Sequence, residues 1–576
     1  ALAWVAAQPW CDGSVALLGK SWGGFAALQA AARRPPALKA VVSVCASDDR
    51  YADDAHYMGG CLLMENLVWG AALLTLTAEP PDPAVVGDGW RDTWAGRLAA
   101  TAPAAATWLV HPHRDAYWQQ GSVAEDPAAV GCPVFLVGGW ADAYTNAIPR
   151  LLCSLPGPRR GLVGPWAHRY PHNGVPGPAL DFPREVARWL DRWLRPGAVP
   201  AGSPEPPLYQ AWMPEWAPPR DFHPRRPGRW VAEEAWPPPS GEERRLHLAP
   251  EGLRPAGAGA RPPRLAAAHR SPQSVGERAG SWCPFGYPGE LPGDQGPDDA
   301  RSLTFDSAPL EERTELWGTP RVLLRLAADR PVALVAARLV DLAPDGSASR
   351  ITYGLLNLTH RDGHERPAPL VPGDEVEVTV PLNHVAWAVL AGHRLRLALS
   401  TAYWPIAWPP PEPVTLSVLA GEVVVPVRPP RPEDDRMPPL PRARAGGGPL
   451  SDPERDPAHF GTRRDPATGE VTHWWETGFA ADGSPELEEI TAIGLEVGHG
   501  MREEARIHDD DPLSAAAEVR HHLVLQRGGW RVEVATRSRL TATATHFRLR
   551  TDLEAREGDR VAARRRWDQR VPRRLV

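Results

Sequence analysis

The feature that most constrains the fold of this chain is the hexapeptide Gly19-Lys20-Ser21-Trp22-Gly23-Gly24. It matches G-x-S-x-G, in which a serine sits on a tight turn between a strand and a helix and its hydroxyl is lifted above the sheet. The pattern is short, so its surroundings carry the weight. An apolar run at residues 14–18 ends just before it, and an Ala-rich helical stretch at 25–33 follows it. The flanking glycines are expected because a side chain there would clash within the turn.

The chain around this turn reads as alternating strands and helices. Residues 38–44, 134–137 and 161–163 are short β-branched runs, and 182–194 repeats Val186, Trp189, Leu190, Trp193 and Leu194 at helical spacing. Strands alternating with helices predict a parallel sheet covered on both faces. Between 51 and 121 the strand signal fades; 57–76 and 90–98 read as helices, the expected lid over an active site. From about 205 to 428 short alternating runs at 207–212, 321–326, 332–339, 375–380 and 394–399 are broken by Pro and Gly, which predicts a β-sandwich of jelly-roll type. Residues 429–448 are rich in Pro, Arg and Gly and read as a linker. Runs at 517–526, 530–538 and 540–551 predict a further, smaller β unit. The expected domains are thus 1–204 (catalytic, lid about 51–121), 205–428 (sandwich), 429–448 (linker) and 449–576 (additional β-rich unit).

A serine hydroxyl is a poor nucleophile until a base takes its proton and a carboxylate orients that base. In this fold the order along the chain is serine, acid, histidine. Two strand ends offer the partners: Gly138-Gly139-Trp140-Ala141-Asp142 and Gly164-Pro165-Trp166-Ala167-His168. Both polar residues lie just past the carboxyl ends of strands, where open α/β sheets build their sites. The plainer readings are a helix N-cap for Asp142 and a surface loop for His168. Ser21, Asp142 and His168 in this order make the catalytic reading the stronger one.

The elbow with its double glycine, Gly-Gly-Trp-Ala-Asp142 and Gly-Pro-Trp-Ala-His168 together resemble the CocE/NonD hydrolases, a group that spans cocaine esterase, α-amino-acid ester hydrolases and Xaa-Pro dipeptidyl-peptidases. The resemblance continues in Asp298-Asp299-Ala300-Arg301-Ser302-Leu303-Thr304-Phe305, Gly318-Thr319-Pro320 and Tyr353-Gly354-Leu355-Leu356-Asn357. It implies an α/β-hydrolase domain with a β-sandwich behind it and hydrolysis of an ester or amide through an acyl-enzyme. It also implies an oxyanion donor at the backbone N–H of Trp22, and a second one, a tyrosine hydroxyl, on a loop well before the elbow. Only about 20 residues precede Ser21. The expectation is therefore a hydrolase domain incomplete at its N-terminus, with roughly 100 further residues ahead of Ala1, in line with whole-domain sizes. Loss of one oxyanion donor typically costs ~10²–10³ in turnover. The alternatives are thus a catalytically impaired fragment, or a carbohydrate-binding protein built on the jelly roll.

Weaker signals accompany these. Tyr117 and Trp118, in His111-Pro112-His113-Arg114-Asp115-Ala116-Tyr117-Trp118, and Trp140 are candidates for a substrate pocket, with lid packing as the plainer reading. Asp48, Asp49, Asp53 and Asp54 read as a solvated loop, with recognition of a substrate ammonium group as the sharper option. The 25 tryptophans read as filling for domain interfaces. A net charge of −7 and a pI near 6.3 give no nucleic-acid footprint. No apolar run is long enough for a membrane span. The six cysteines form no C-x-x-C pair, which favours a reducing, cytoplasmic setting. The expected partner is a small ester, amide or short peptide. No cofactor or metal is expected, and a homo-oligomer is compatible with the composition.

Overall fold

The computed structural model describes residues 1–195, 197–199, 205–257, 259–434, 437, 440–443 and 459–576. The expected domain boundary at 204 and residues 444–448 of the expected linker lie outside them.

A six-stranded sheet carries the elbow. Its strands are β1 (Val15–Lys20), β2 (Leu38–Val44), β3 (Val134–Gly139), β4 (Arg159–Gly164), β5 (Tyr209–Pro214) and β6 (Gly228–Glu233), in that spatial order. Neighbours from β1 to β5 are parallel, and β6 closes antiparallel on β5. Successive side chains of a strand point to opposite faces. Accordingly Val42, Val44, Phe135, Val137 and Leu162 pack with Phe182, Val186 and Trp189 on one side. Val41, Val134, Leu136 and Val163 pack with Leu28, Ile148 and Leu152 on the other. The covering helices are α1 (Trp22–Ala32), α5 (Ala147–Ser154) and α6 (Phe182–Leu194). The run at 207–212, expected to open the sandwich, instead extends this sheet. Its residues Tyr209, Ala211 and Met213 find an apolar partner in the α1 and α5 layer, and alternation alone does not say which sheet a strand joins.

Lid-region residues 57–76 are not one helix. Tyr57–Met58 and Cys61–Leu62 pair as a small hairpin, and only Glu65–Thr77 (α2) is helical. Gly59 and Gly60 take positive φ values of 55° and 77°, and a Cβ on Gly59 would lie 1.8 Å from the Leu355 carbonyl oxygen. Helices α3 (Trp90–Ala100) and α4 (Ala104–Val110) follow.

Behind the hydrolase sheet, an eight-stranded and a four-stranded antiparallel sheet share one core that includes Leu316, Val322, Leu324, Val335, Leu339, Leu397 and Val423. The C-terminal part is a further eight-stranded sheet, with strands as long as Asp511–Arg527. It is larger than expected. The turn at 543–545 falls inside the run read as one strand at 540–551, and Leu495–His508 and Arg560–Pro572 are added strands. One face of this sheet, with Ile507, Ala517, Val519 and Leu540, covers Leu67, Ala71, Ala105 and Leu109 of α2 and α4. Val532 and Leu553 cover Trp90 and Trp94 of α3. Tryptophans recur at these junctions: Trp236 and Trp317 meet at 5.2 Å between hydrolase sheet and sandwich, and Trp90 and Trp530 at 5.9 Å between α3 and the C-terminal sheet.

Candidate active site

Ser21 follows the last residue of β1 and precedes α1. Its backbone has φ 60° and ψ −126°, a sparsely populated conformation that typically costs about 1–3 kcal/mol. Its N–H donates to the Val44 carbonyl at 2.8 Å, which fixes the turn against the end of β2. Crowding explains two glycines of the motif. A Cβ on Gly19 would lie 2.2 Å from the Gly23 carbonyl carbon, and one on Gly24 would lie 2.7 Å from the Ala46 Cβ. Gly23 differs from expectation, because a Cβ there meets nothing within 4 Å. The turn needs Gly23 as a close backbone neighbour of Gly19, not as a site without a side chain.

Asp142 and His168 are brought together by their loops. Trp140 N–H donates to Gly164 O at 2.9 Å, and Ala141 N–H to Trp166 O at 3.1 Å. A Cβ on Gly139 would fall 1.9 Å from that Trp166 oxygen, so only glycine allows the approach. His168 Nδ1 then lies 2.8 Å from Asp142 Oδ1, with both side chains buried. A carboxylate accepts, so this contact suits an imidazole that carries its proton on Nδ1 and leaves Nε2 as an acceptor. The sandwich holds the same loop: His168 N–H donates to Pro284 O at 2.8 Å, and the Phe285 ring stands edge-on to the imidazole at 5.4 Å. Tyr144 covers the imidazole at 5.5 Å.

Cys45, which sequence reading missed, stands at the end of β2 with φ 48° and is fully buried. Its sulfur and the facing atoms of Asp142 and His168 lie within 4.8 Å of one another. Burial first, and then the charge of Asp142, pushes the thiol well above its ordinary range. The thiol therefore stays protonated and donates to Arg169 O at 3.8 Å, while the buried Asp142 Oδ2 has no hydrogen-bond partner among the described residues. His168 Nδ1 is already engaged by Asp142, so this set has the arrangement of an acid–imidazole pair with a thiol beside it.

The other candidates fall in different places. The Trp22 ring is exposed and meets Trp69 edge-on at 6.3 Å, while its N–H opens α1. Trp118 is buried among Tyr51, His56 and Tyr57 and donates its indole N–H to His111 O at 2.8 Å, so it packs within the segment 51–121. Tyr117 is exposed and stacks on His111. Trp140 donates to Trp212 O and lines a cavity of about 160 Å³ beside Asp142, between hydrolase sheet and sandwich. The four aspartates are neither solvated nor free. Asp48 and Asp53 pair with Arg150, Asp49 with Arg114 and Asp54 with Arg50. Arg114 and Arg150, distant in sequence, supply counter-charge that a local reading cannot foresee, while Arg50 sits four residues from Asp54. No helix among the described residues is long and apolar enough to cross a membrane.

Two family models match the chain: X-Pro dipeptidyl-peptidase (S15 family) over residues 1–170, and the X-Pro dipeptidyl-peptidase C-terminal non-catalytic domain over 213–436. Cocaine esterase of Rhodococcus sp. (strain MB1 Bresler) is 26% identical over 455 residues, spanning 70% of this chain and 75% of the esterase. An aminopeptidase from a marine sediment Thaumarchaeota archaeon shares the fold at a TM-score of 0.59 and 20% identity, covering 74% of this chain and 78% of that one. A CocE/NonD family hydrolase from Staphylococcus aureus does so at 0.54 and 15%, covering 74% of each. The protein is a serine hydrolase with an α/β-hydrolase domain and a β-rich region behind it. Within that class it belongs to the CocE/NonD family. The carbohydrate-binding alternative is not favoured by these relationships.

Proposed function

We propose that Ser21 attacks the carbonyl carbon of an ester or amide, that His168 Nε2 takes the serine proton and returns it to the departing alcohol or amine, and that Asp142 holds the imidazole with Nδ1–H toward its carboxylate. An acyl-enzyme forms on Ser21 Oγ, and water deprotonated by His168 then releases the acid. The N–H of Trp22, at the start of α1, stabilises the negative charge on the carbonyl oxygen. The observation that carries this reading is the buried 2.8 Å contact between His168 Nδ1 and Asp142 Oδ1, on loops adjoining the Ser21 turn. The substrate is a small ester, amide or short peptide, consistent with relatives named as an esterase, an aminopeptidase and dipeptidyl-peptidases.

In the same reading, 1–204 is the catalytic unit, extended by β5 and β6, and 51–121 is its lid. A jelly-roll sandwich occupies the stretch to 428, the linker is 429–448, and 449–576 is the additional unit. The six unpaired cysteines fit a cytoplasmic setting.

A fluorophosphonate probe is expected to label the protein and to leave Ser21→Ala unlabelled. Equal labelling of both would overturn the assignment. Turnover of a nitrophenyl ester against that of a Gly-Pro anilide separates esterase from peptidase.

A further inference from the structure

Neither Ser21 nor His168 lines the cavity of about 160 Å³ that lies beside Asp142. One wall is the loop 140–143; segments 219–226, 349–353 and 383–387 form others. Met58, Trp282, Ile351 and Trp387 make part of the lining apolar. Three arginines also line it, Arg220, Arg226 and Arg350, and none of them forms an ion pair among the described residues. The carboxylates in the wall are already taken. Asp53 pairs with Arg150, and Asp142 with His168.

Of the three, Arg226 is the one left wanting a partner. Arg350 donates to Ala279 O at 2.8 Å and to the Tyr403 hydroxyl at 2.7 Å, and Arg220 is exposed to water. Arg226 makes one hydrogen bond among the described residues, from Nη1 to His223 Nε2 at 3.2 Å. A guanidinium only donates, so His223 accepts and is neutral. Burial first, and then the charges of Arg226 and Arg220, push His223 down to about 4. The Nη2 of Arg226 is buried and has no partner. Trp387 fixes the guanidinium in place, with its ring centre 5.0 Å away. Asp341 is the one carboxylate whose charge reaches Arg226, but its two oxygens already meet Trp387 Nε1 at 2.9 Å and His393 Nδ1 at 2.7 Å. Burial lowers Arg226 to about 10, so it remains charged at neutral pH. A buried cation with an unmet donor is costly, and a carboxylate supplies both the missing charge and the missing acceptor.

We infer that this cavity is a binding site for a small organic carboxylate, whose anionic end meets Arg226 between His223 and Trp387 and whose apolar body fills the remaining space. A dry cavity of about 150 Å³ takes up a benzene ring, so this one has room for an acid of that size. The apolar lining favours an organic acid over inorganic phosphate. The site is separate from Ser21, and binding there stands independently of the proposed reaction.

Binding is tested on the full-length chain by isothermal titration calorimetry with phenylacetate, its neutral counterpart phenylacetamide, and inorganic phosphate. The expected result is at least tenfold tighter binding of phenylacetate than of either other ligand. Arg226→Met keeps an apolar stem over Trp387 and is expected to bind phenylacetate and phenylacetamide alike, whereas Arg225→Gln, on the exposed neighbour, keeps the full preference. Should Arg226→Met fail to fold, Arg226→Lys decides. Its ammonium retains the charge without the fork, so the preference is expected to fall several-fold. Ser21→Ala is expected to bind phenylacetate as the parent does. Equal binding of phenylacetate and phenylacetamide by the parent, no binding of either, or tighter binding of phosphate would overturn the proposal. So would a preference undiminished in Arg226→Met or Arg226→Lys, or one lost in Ser21→Ala, which would place the acid beside the serine.

Discussion

Lys20 Nζ donates to the main-chain carbonyl of His168 at 3.2 Å. This bond ties the strand that delivers Ser21 to the loop that delivers the imidazole, across two intervening strands. The same ammonium lies 5.6 Å from the centre of the Tyr170 ring. Hydrogen bonds from charged donors are worth about 1.5–3 kcal/mol. Lys20→Met is expected to lower kcat about tenfold with KM little changed, because it loosens the base and not the substrate contacts. Steady-state kinetics on a neutral nitrophenyl ester checks this, and an unchanged kcat would show that the loop holds itself.

The glycines of the elbow are not equivalent. Gly19→Ala drives a methyl into the backbone of Gly23, whereas Gly23→Ala places one in open space. Gly23→Ala is therefore expected to retain turnover within about twofold, and Gly19→Ala to yield misfolded or inactive protein, as overpacking against fixed backbone costs about 1–3 kcal/mol or more. Soluble yield and kcat of the two variants compared side by side decide it.

Arg428 joins hydrolase sheet to sandwich. Its guanidinium meets Glu233 of β6 at 2.8 Å, Glu315 at 3.2 Å and Asp434 at 2.7 Å, and the two glutamates and the arginine are almost wholly buried. Removing one partner of a buried set strands the others, at a typical cost of about 3–5 kcal/mol. Arg428→Met is expected to shift the first chemical unfolding transition by about that amount, and a loss under about 1 kcal/mol would show that water replaces the guanidinium.

Stability is also expected to depend on pH through Glu65 of α2 and Glu503 of the C-terminal strand Leu495–His508. Glu65 and Glu503 carry folded-state values of about 8 and about 7, against an unfolded value near 4.5. Between those values the native state binds protons that the unfolded chain has released, so unfolding is favoured as pH rises. The contribution is intact below about 4.5 and is lost as pH climbs to about 8. The double variant Glu65→Gln/Glu503→Gln is expected to flatten this slope and to lose on the order of 5 °C less in Tm between pH 5 and pH 8 than the parent. Thermal melts across that range test it, and parallel slopes would show that other groups set the dependence.

Much of the frame around Ser21, Asp142 and His168 was legible in the chain because it is written locally. A strand, a turn whose crowded positions demand glycine and a helix leave a contiguous trace around Ser21. Gly139 and Gly164 mark the two strand ends from which Asp142 and His168 project. Cys45 left no such trace: a cysteine at a strand end reads as a small apolar residue. The hairpin at Tyr57–Met58 and Cys61–Leu62 was hidden inside an aromatic-rich stretch, since two-residue strands are too short to show alternation.

The sequence by itself determined the order of strands and helices, the turn that exposes Ser21 and the family to which the chain belongs, because periodicity and steric demand act between residues close along the backbone. Tertiary structure alone decided that Tyr209–Pro214 joins the hydrolase sheet, that Asp48, Asp49 and Asp53 pair with Arg114 and Arg150, and that Glu65 and Glu503 have no ion pair among the described residues. Burial and charge pairing depend on which surfaces meet, and those surfaces come from segments well separated along the chain.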